Sequence, residues 1–210
     1  MRDKFGWSVE LLHDVHERVP PMTAVRLAKE LEQYRPYFLE DPLAPEDGEW
    51  FRLLRGASSV PIAMGELFNN PAEWMPLIEN RLIDFIRCHI TQIGGLTPAL
   101  HLARFCEPFG VRTAWHGPGD VSPVGHAANL HLDLATHNFG VQEWCGMEAD
   151  PRVREVFTGL PYVKDGCAYL EDRPGIGVDI DEEAAKKYPC SAQQPGWLLG
   201  RLPDGTSSRA

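Results

Sequence analysis

From Val9 to Trp144, short apolar runs alternate with longer stretches in which apolar residues recur every three or four positions. That alternation predicts β-α units feeding a parallel sheet. Six strands are expected: VELLHDVH (9–16), YFLEDPL (37–43), PIAMGEL (61–67), DFIRCHI (84–90), VRTAWHG (111–117) and FGVQEW (139–144). Between them, MTAVRLAKELEQYR sets Ala24, Leu27, Ala28 and Leu31 on one helical face, and LTPALHLARFCEPFG is a helix closed by Gly110. After Trp144 glycine, proline and aspartate become frequent. Only DIDEEAAKKYP reads as helical there, and RLPDGTSSRA reads as a frayed end. The division expected is a barrel-type unit over 1–146 and a tail over 147–210 that packs on it.

An ionisable residue stands at or near the end of every strand: Asp14 and His16, then Glu40, Glu66, Arg87, His116 and Glu143. In parallel β/α folds these ends open onto one face, so six strands deliver their polar residues to one site. Asp14, Glu40 and Glu66 follow one another at intervals of 26 residues. Three adjacent carboxylates repel one another unless a cation lies between them. All-oxygen donors favour a hard ion, and Mg²⁺ is the natural choice. Taken singly, an acid in this position is more often a helix cap or a salt-bridge partner, and Glu40-Asp41-Pro42 also reads as a turn. Along the first strand, alternation puts Asp14 and His16 on one side and sends His13 and Val15 into packing. His89 shares a face with Arg87, whereas His101, His126, His131 and His137 read as structural. Gly94-Gly95 reads as a strand-to-helix turn rather than a phosphate cradle.

Composition narrows the partners. The formal net charge of -10 supplies no basic stripe for a nucleic acid. No apolar run approaches the roughly 18 residues of a membrane span. Five scattered cysteines without a C-x-x-C pair suggest neither a disulfide framework nor a zinc knuckle, which fits a reducing, cytoplasmic setting.

LLHDVHERV, FLEDPL, GELFN, DFIRCHITQIGG, WHGPGD, NFGVQEWCG and GVDIDEEAAKKYP together resemble the mannonate dehydratase group of the enolase superfamily, which includes the starvation-sensing and galactonate-dehydratase-family proteins. The resemblance implies a modified TIM barrel, (β/α)₇β, of which this chain carries strands three to eight and a C-terminal capping tail. It implies that Asp14, Glu40 and Glu66 bind Mg²⁺ and that His16 is the catalytic acid/base. Glu66, Arg87, His116, Asp120 and Glu143 would contact a sugar-acid substrate. The reaction implied is loss of water from a mannonate- or gluconate-type acid to give a 2-keto-3-deoxy acid, through an enediolate stabilised by Mg²⁺.

Family members are about twice as long, and those of full length are expected to be homo-oligomers. The family's Tyr and Arg that help remove the C2 proton have no counterpart here, and a barrel lacking two strands has two open edges. The chain is accordingly expected to be a fragment of a longer product, poorly stable alone and weak or inactive. Pro118, where efficient mannonate enzymes carry alanine, points to a slower or broader branch. A sugar-acid binding or sensing protein that keeps the metal site is the alternative, and a racemase of the same superfamily is a third reading.

Overall fold

The computed structural model describes residues 1–189, so RLPDGTSSRA lies outside the described residues. Five short strands form one parallel sheet in sequence order: β1 (Leu12–Asp14), β2 (Phe38–Glu40), β3 (Ile62–Met64), β4 (Phe85–Ile86) and β5 (Arg112–Thr113). A short helix, α1 (Arg2–Phe5), precedes the sheet. Helices α2 (Pro21–Leu31), α3 (Trp50–Ala57), α4 (Pro71–Glu79) and α5 (Leu96–Cys106) make the crossovers, and α6 (Pro123–Ala135) follows β5. Crossovers of this kind hold parallel neighbours together and cover one face of the sheet.

Period-two alternation sorts the strand residues into two layers. Leu39, Ile62, Met64 and Ile86 join Ala24, Ala28, Phe51, Leu54, Ile78 and Leu102 of the helices in one large core. Phe38, Ala63, Phe85 and Ala114 face the other way and pack with Tyr37 and Val141. The rings of Phe38 and Phe85 stand 5.2 Å apart, and this aromatic layer is the floor on which the polar strand ends rest. Helix starts are fixed locally. Asn70 and Glu73 form a capping box on α4, and Ser122 accepts from Gly125 N on α6.

The expected sixth strand, 139–144, is corrected: it makes a single parallel bridge, Phe139 to Thr113, and 140–144 adds no further ladder. Gly140 N donates to Thr113 O at 2.8 Å, and a Cβ on Gly140 would lie 2.7 Å from that same carbonyl. The close approach demands glycine, and the chain runs on beside 115–117 through side-chain bonds, Gln142 Nε2 to Trp115 O at 3.1 Å and Gly117 N to Glu143 Oε2 at 2.9 Å. The tail is also richer than its composition suggests. It holds α7 (Pro151–Val156), capped by Asp150, a β6–β9 pair (Phe157–Thr158 with Asp179–Ile180), a β7–β8 hairpin (Tyr162–Lys164 with Cys167–Tyr169) and α8 (Glu182–Ala185). Among the described residues no helix is long and apolar enough to cross a membrane.

Candidate active site

The registry of the strands sets the geometry. Asp14 pairs directly with Glu40, and Glu40 pairs with Ala63. Glu66 therefore lies three residues beyond the register partner of Glu40, and equal sequence spacing does not mean equal height. Gly65, at φ 139°, turns the chain so that Glu66 reaches back over the sheet. A Cβ on Gly65 would meet Cys88 N at 3.0 Å and Phe68 Cδ2 at 3.1 Å, so no side chain fits there.

β1 ends at Asp14, and His16 follows at φ 51° in a turn. The two side chains meet through this turn and not through strand alternation: His16 Nδ1 lies 3.6 Å from Asp14 Oδ2 and 3.0 Å from Glu66 Oε1. Val15 is buried as the alternation requires. His13 is exposed, contrary to expectation, because β1 is the first strand of the sheet and pairs only with β2.

Above the aromatic floor, Arg87 organises a buried layer of charge. Its Nε donates to Glu40 Oε1, its Nη1 to Ala114 O at 2.9 Å and its Nη2 to Glu143 Oε2 at 2.7 Å. Its Cζ sits 5.7 Å over the Phe38 ring. Burial opposes the guanidinium charge, but Glu40 and Glu143 more than offset it and raise the Arg87 pKa. Glu40 feels the opposite balance: burial, aided by Asp14 and Glu143, outweighs Arg87 and pushes its carboxyl up to about 7. Both shifts follow from one buried pair in which the cation has two partners and each anion must share it.

The next layer borders the cleft. Glu66 Oε2 lies 3.0 Å from His116 Nε2, so its two oxygens bridge His16 and His116. Burial works against the Glu66 charge, but the His116 hydrogen bond and the charges of His116, His16 and Arg87 lower its pKa. Glu143 is likewise lowered against its burial, by Gly117 N–H at 2.9 Å and by Arg87 and His116. Asp14 is raised by burial, with His16 opposing. The His89 ring meets that of His116 edge-on at 4.9 Å and its Nδ1 is 3.0 Å from Thr91 Oγ1.

These groups line a cleft of about 620 Å³ together with Arg18, Leu67, Gln92, Pro118 and Asp120. All eight site residues named from the sequence thus converge on one end of the sheet. Asp14, His16, Glu66, His116, Asp120 and Glu143 line the cleft itself, whereas Glu40 and Arg87 lie buried beneath it. Asp120 stands exposed on its loop. Sequence reasoning misses Arg18 and Gln92; a polar residue two positions past the end of an expected strand (16 and 90) is the signal that finds them.

Asp41, which the sequence offers only as part of a possible Glu40-Asp41-Pro42 turn, lies inside the site. It is 1% exposed, and one oxygen each of Glu40, Asp41 and Glu66 lie within 4.8 Å of one another. Burial, Glu66 and Glu40 push its carboxyl well up. The cluster offers only oxygen, it is buried, and Asp41 Oδ2 has no partner. That donor set fits a hard divalent cation.

A parallel sheet in sequence order with crossover helices, carrying acids and histidines at its carboxyl end, is the arrangement of a β/α-barrel enzyme domain. The enolase C-terminal domain-like family matches residues 1–184, and the chain belongs to that family. A D-galactonate dehydratase family member of Salmonella virchow is 58% identical over all of this chain and 50% of its own length. The crystal structure of an enolase from Pantoea ananatis with bound D-gluconate and Mg matches at TM-score 0.97 and 57% identity, across all of this chain and 50% of that one. A mandelate racemase/muconate lactonizing enzyme from Jannaschia matches at TM-score 0.83 and 27% identity, across 92% of this chain and 48% of that one. The chain spans about half the length of the curated relatives it matches.

Proposed function

We propose that the chain carries the metal and acid half of a sugar-acid dehydratase site that acts on a gluconate- or mannonate-type acid, with Mg²⁺ as cofactor. The observation that carries this reading is the Glu40–Asp41–Glu66 oxygen cluster lying directly against His16 and His116. In the reaction the C2–H and C3–OH bonds break, water leaves, and the enol so formed becomes a 2-keto-3-deoxy acid. Asp14, Glu40 and Glu66 would hold Mg²⁺, which would supply positive charge to offset negative charge on the substrate carboxylate as the C2 proton departs.

The residues of this chain have separable tasks. His16, with Nδ1 against Glu66 and Asp14, has Nε2 free to give a proton to the departing 3-hydroxyl. Glu66, Asp14 and Glu40 hold the metal. Arg87 keeps Glu40 and Glu143 in place from below. His116, Glu143 and Asp120 meet the polyol hydroxyls. The group that takes the C2 proton is not among these residues. Relatives of twice the length have room to supply it, and full-length members of the group assemble as homo-oligomers on this reading.

The test is formation of 2-keto-3-deoxy acid from D-gluconate and from D-mannonate with Mg²⁺ present, alongside calorimetric titration of each acid. Mg²⁺-dependent turnover that His16→Asn abolishes supports the dehydratase. Saturable binding of gluconate and Mg²⁺ without turnover supports the sugar-acid binding protein instead.

A further inference from the structure

Asp41 makes more connections between strand ends than any task assigned so far requires. Its N–H donates to Ala63 O at 3.0 Å, its carbonyl accepts from Glu17 N at 2.9 Å, and its Oδ1 accepts from Gly65 N at 3.0 Å. One residue thereby ties the ends of β1, β2 and β3 together. It does so at φ 37°, a conformation uncommon outside glycine that Asp and Asn tolerate best. Backbone strain of this kind persists where the surroundings over-determine it, and it concentrates at functional sites.

Gly65 is the receiving end of that tie. Its own positive φ and its contact with the Cys88 and Arg87 backbone leave no freedom to substitute it. The orientation of its N–H fixes where the next residue, Glu66, departs from the sheet. Asp41 sits between Glu40 and Glu66, 1% exposed, with Oδ2 unpartnered beside them.

We propose that Asp41 is the positioning residue of the metal site. Its Oδ1 clamps the Gly65 amide and so holds Glu66 at metal-binding distance from Glu40. The inference rests on the metal reading above but assigns to Asp41 a task that reading leaves unfilled. A residue that orients a ligand in this way typically contributes about 10- to 100-fold to metal affinity.

The test compares Asp41→Gly with Asp41→Asn in the full chain, reading Mg²⁺ affinity by calorimetry, thermal midpoint, and exchange of the Gly65 amide by NMR. Glycine accepts the positive φ at no steric cost but removes the clamp, whereas asparagine retains a carbonyl oxygen for Gly65 N–H. Asp41→Gly is expected to weaken Mg²⁺ binding at least about tenfold and to speed Gly65 exchange, with a midpoint within a few degrees of the parent. Asp41→Asn is expected to bind Mg²⁺ within about threefold of the parent and to keep the Gly65 amide protected. Parent-like Mg²⁺ affinity in Asp41→Gly overturns the proposal. So does an Asp41→Asn variant that protects Gly65 yet loses binding as fully as the glycine variant, because charge and not the clamp would then be at work. If Asp41→Gly fails to fold, the asparagine variant alone decides by the same two readouts. A parent chain that binds no Mg²⁺ defeats the metal reading separately. The clamp then stands or falls on whether Asp41→Gly releases the Gly65 amide.

Discussion

Two regions of this molecule bury carboxylates, and they treat them in opposite ways. At the cleft, Glu40, Asp41 and Glu66 are buried among Arg87, His16, His116 and inward-pointing amides. Beneath the β7–β8 hairpin, Asp133 of α6 lines a cavity of about 390 Å³ with Leu130, Leu134, Phe139, Trp144 and Val163. Both Asp133 oxygens are buried without a hydrogen-bond partner, and burial alone pushes its carboxyl up to about 8. The difference teaches what organisation looks like. At the cleft the cost of burying charge is partly offset by partners placed on four strand ends, His16, Gly65, Arg87 and His116, whereas neither oxygen of Asp133 has a partner among the described residues.

The largest effect expected comes from removing the cation that separates the two cases. Arg87→Met leaves Glu40 and Glu143 buried without their counter-charge and should destabilise the chain by about 3–5 kcal/mol, read from chemical denaturation. If the loss is below about 1 kcal/mol, the cleft acids are no better organised than Asp133.

Asp133 should respond in the opposite direction. Burial holds its folded value at about 8, above the 3.8 of a free aspartate. Folding therefore takes up a proton between those values, and the wild-type chain loses stability as pH rises from about 4 to about 8. Asp133→Leu is expected to stabilise the chain at pH 8 by a few kcal/mol and to flatten this slope. Melts of both proteins across that window make the comparison. A variant no more stable than the parent at pH 8 would show that the cavity acid is not uncompensated.

How legible was this from the sequence? The β-α alternation and the polar strand ends located the cleft, since both depend on period and order along the chain, which a sequence displays directly. Glu40 facing Asp14 was readable because consecutive parallel strands lie side by side. The height of Glu66 was not, because it depends on the positive φ of Gly65. His16 reached its partners by a turn that strand alternation does not describe. Asp133 was invisible for a related reason: nothing in HLDLATHNFG says that a cavity opens between α6 and 139–144.

A smaller effect distinguishes the cleft from the cavity through metal. Mg²⁺ must displace the proton that Glu40 holds up to about pH 7. The rise in melting temperature that Mg²⁺ produces should therefore be greater at pH 8 than at pH 6, and Asp133→Leu should leave that difference intact. An equal rise at both pH values would remove Glu40 from the metal site. Smallest of all, Lys29→Ala breaks an exposed pair with Glu32 far from both regions. The melting temperature should stay within about one degree, because solvent screens such pairs.

On the function proposed, the carboxyl end of this sheet is a Mg²⁺ site held by Asp14, Glu40 and Glu66, with Asp41 positioning Glu66. Calorimetric titration of Mg²⁺ into the chain at pH 7.5, beside the Glu66→Gln variant, tests it most directly. Saturable binding of one ion that Glu66→Gln weakens by at least about tenfold is the predicted result. No binding, or binding that Glu66→Gln leaves unchanged, would contradict it.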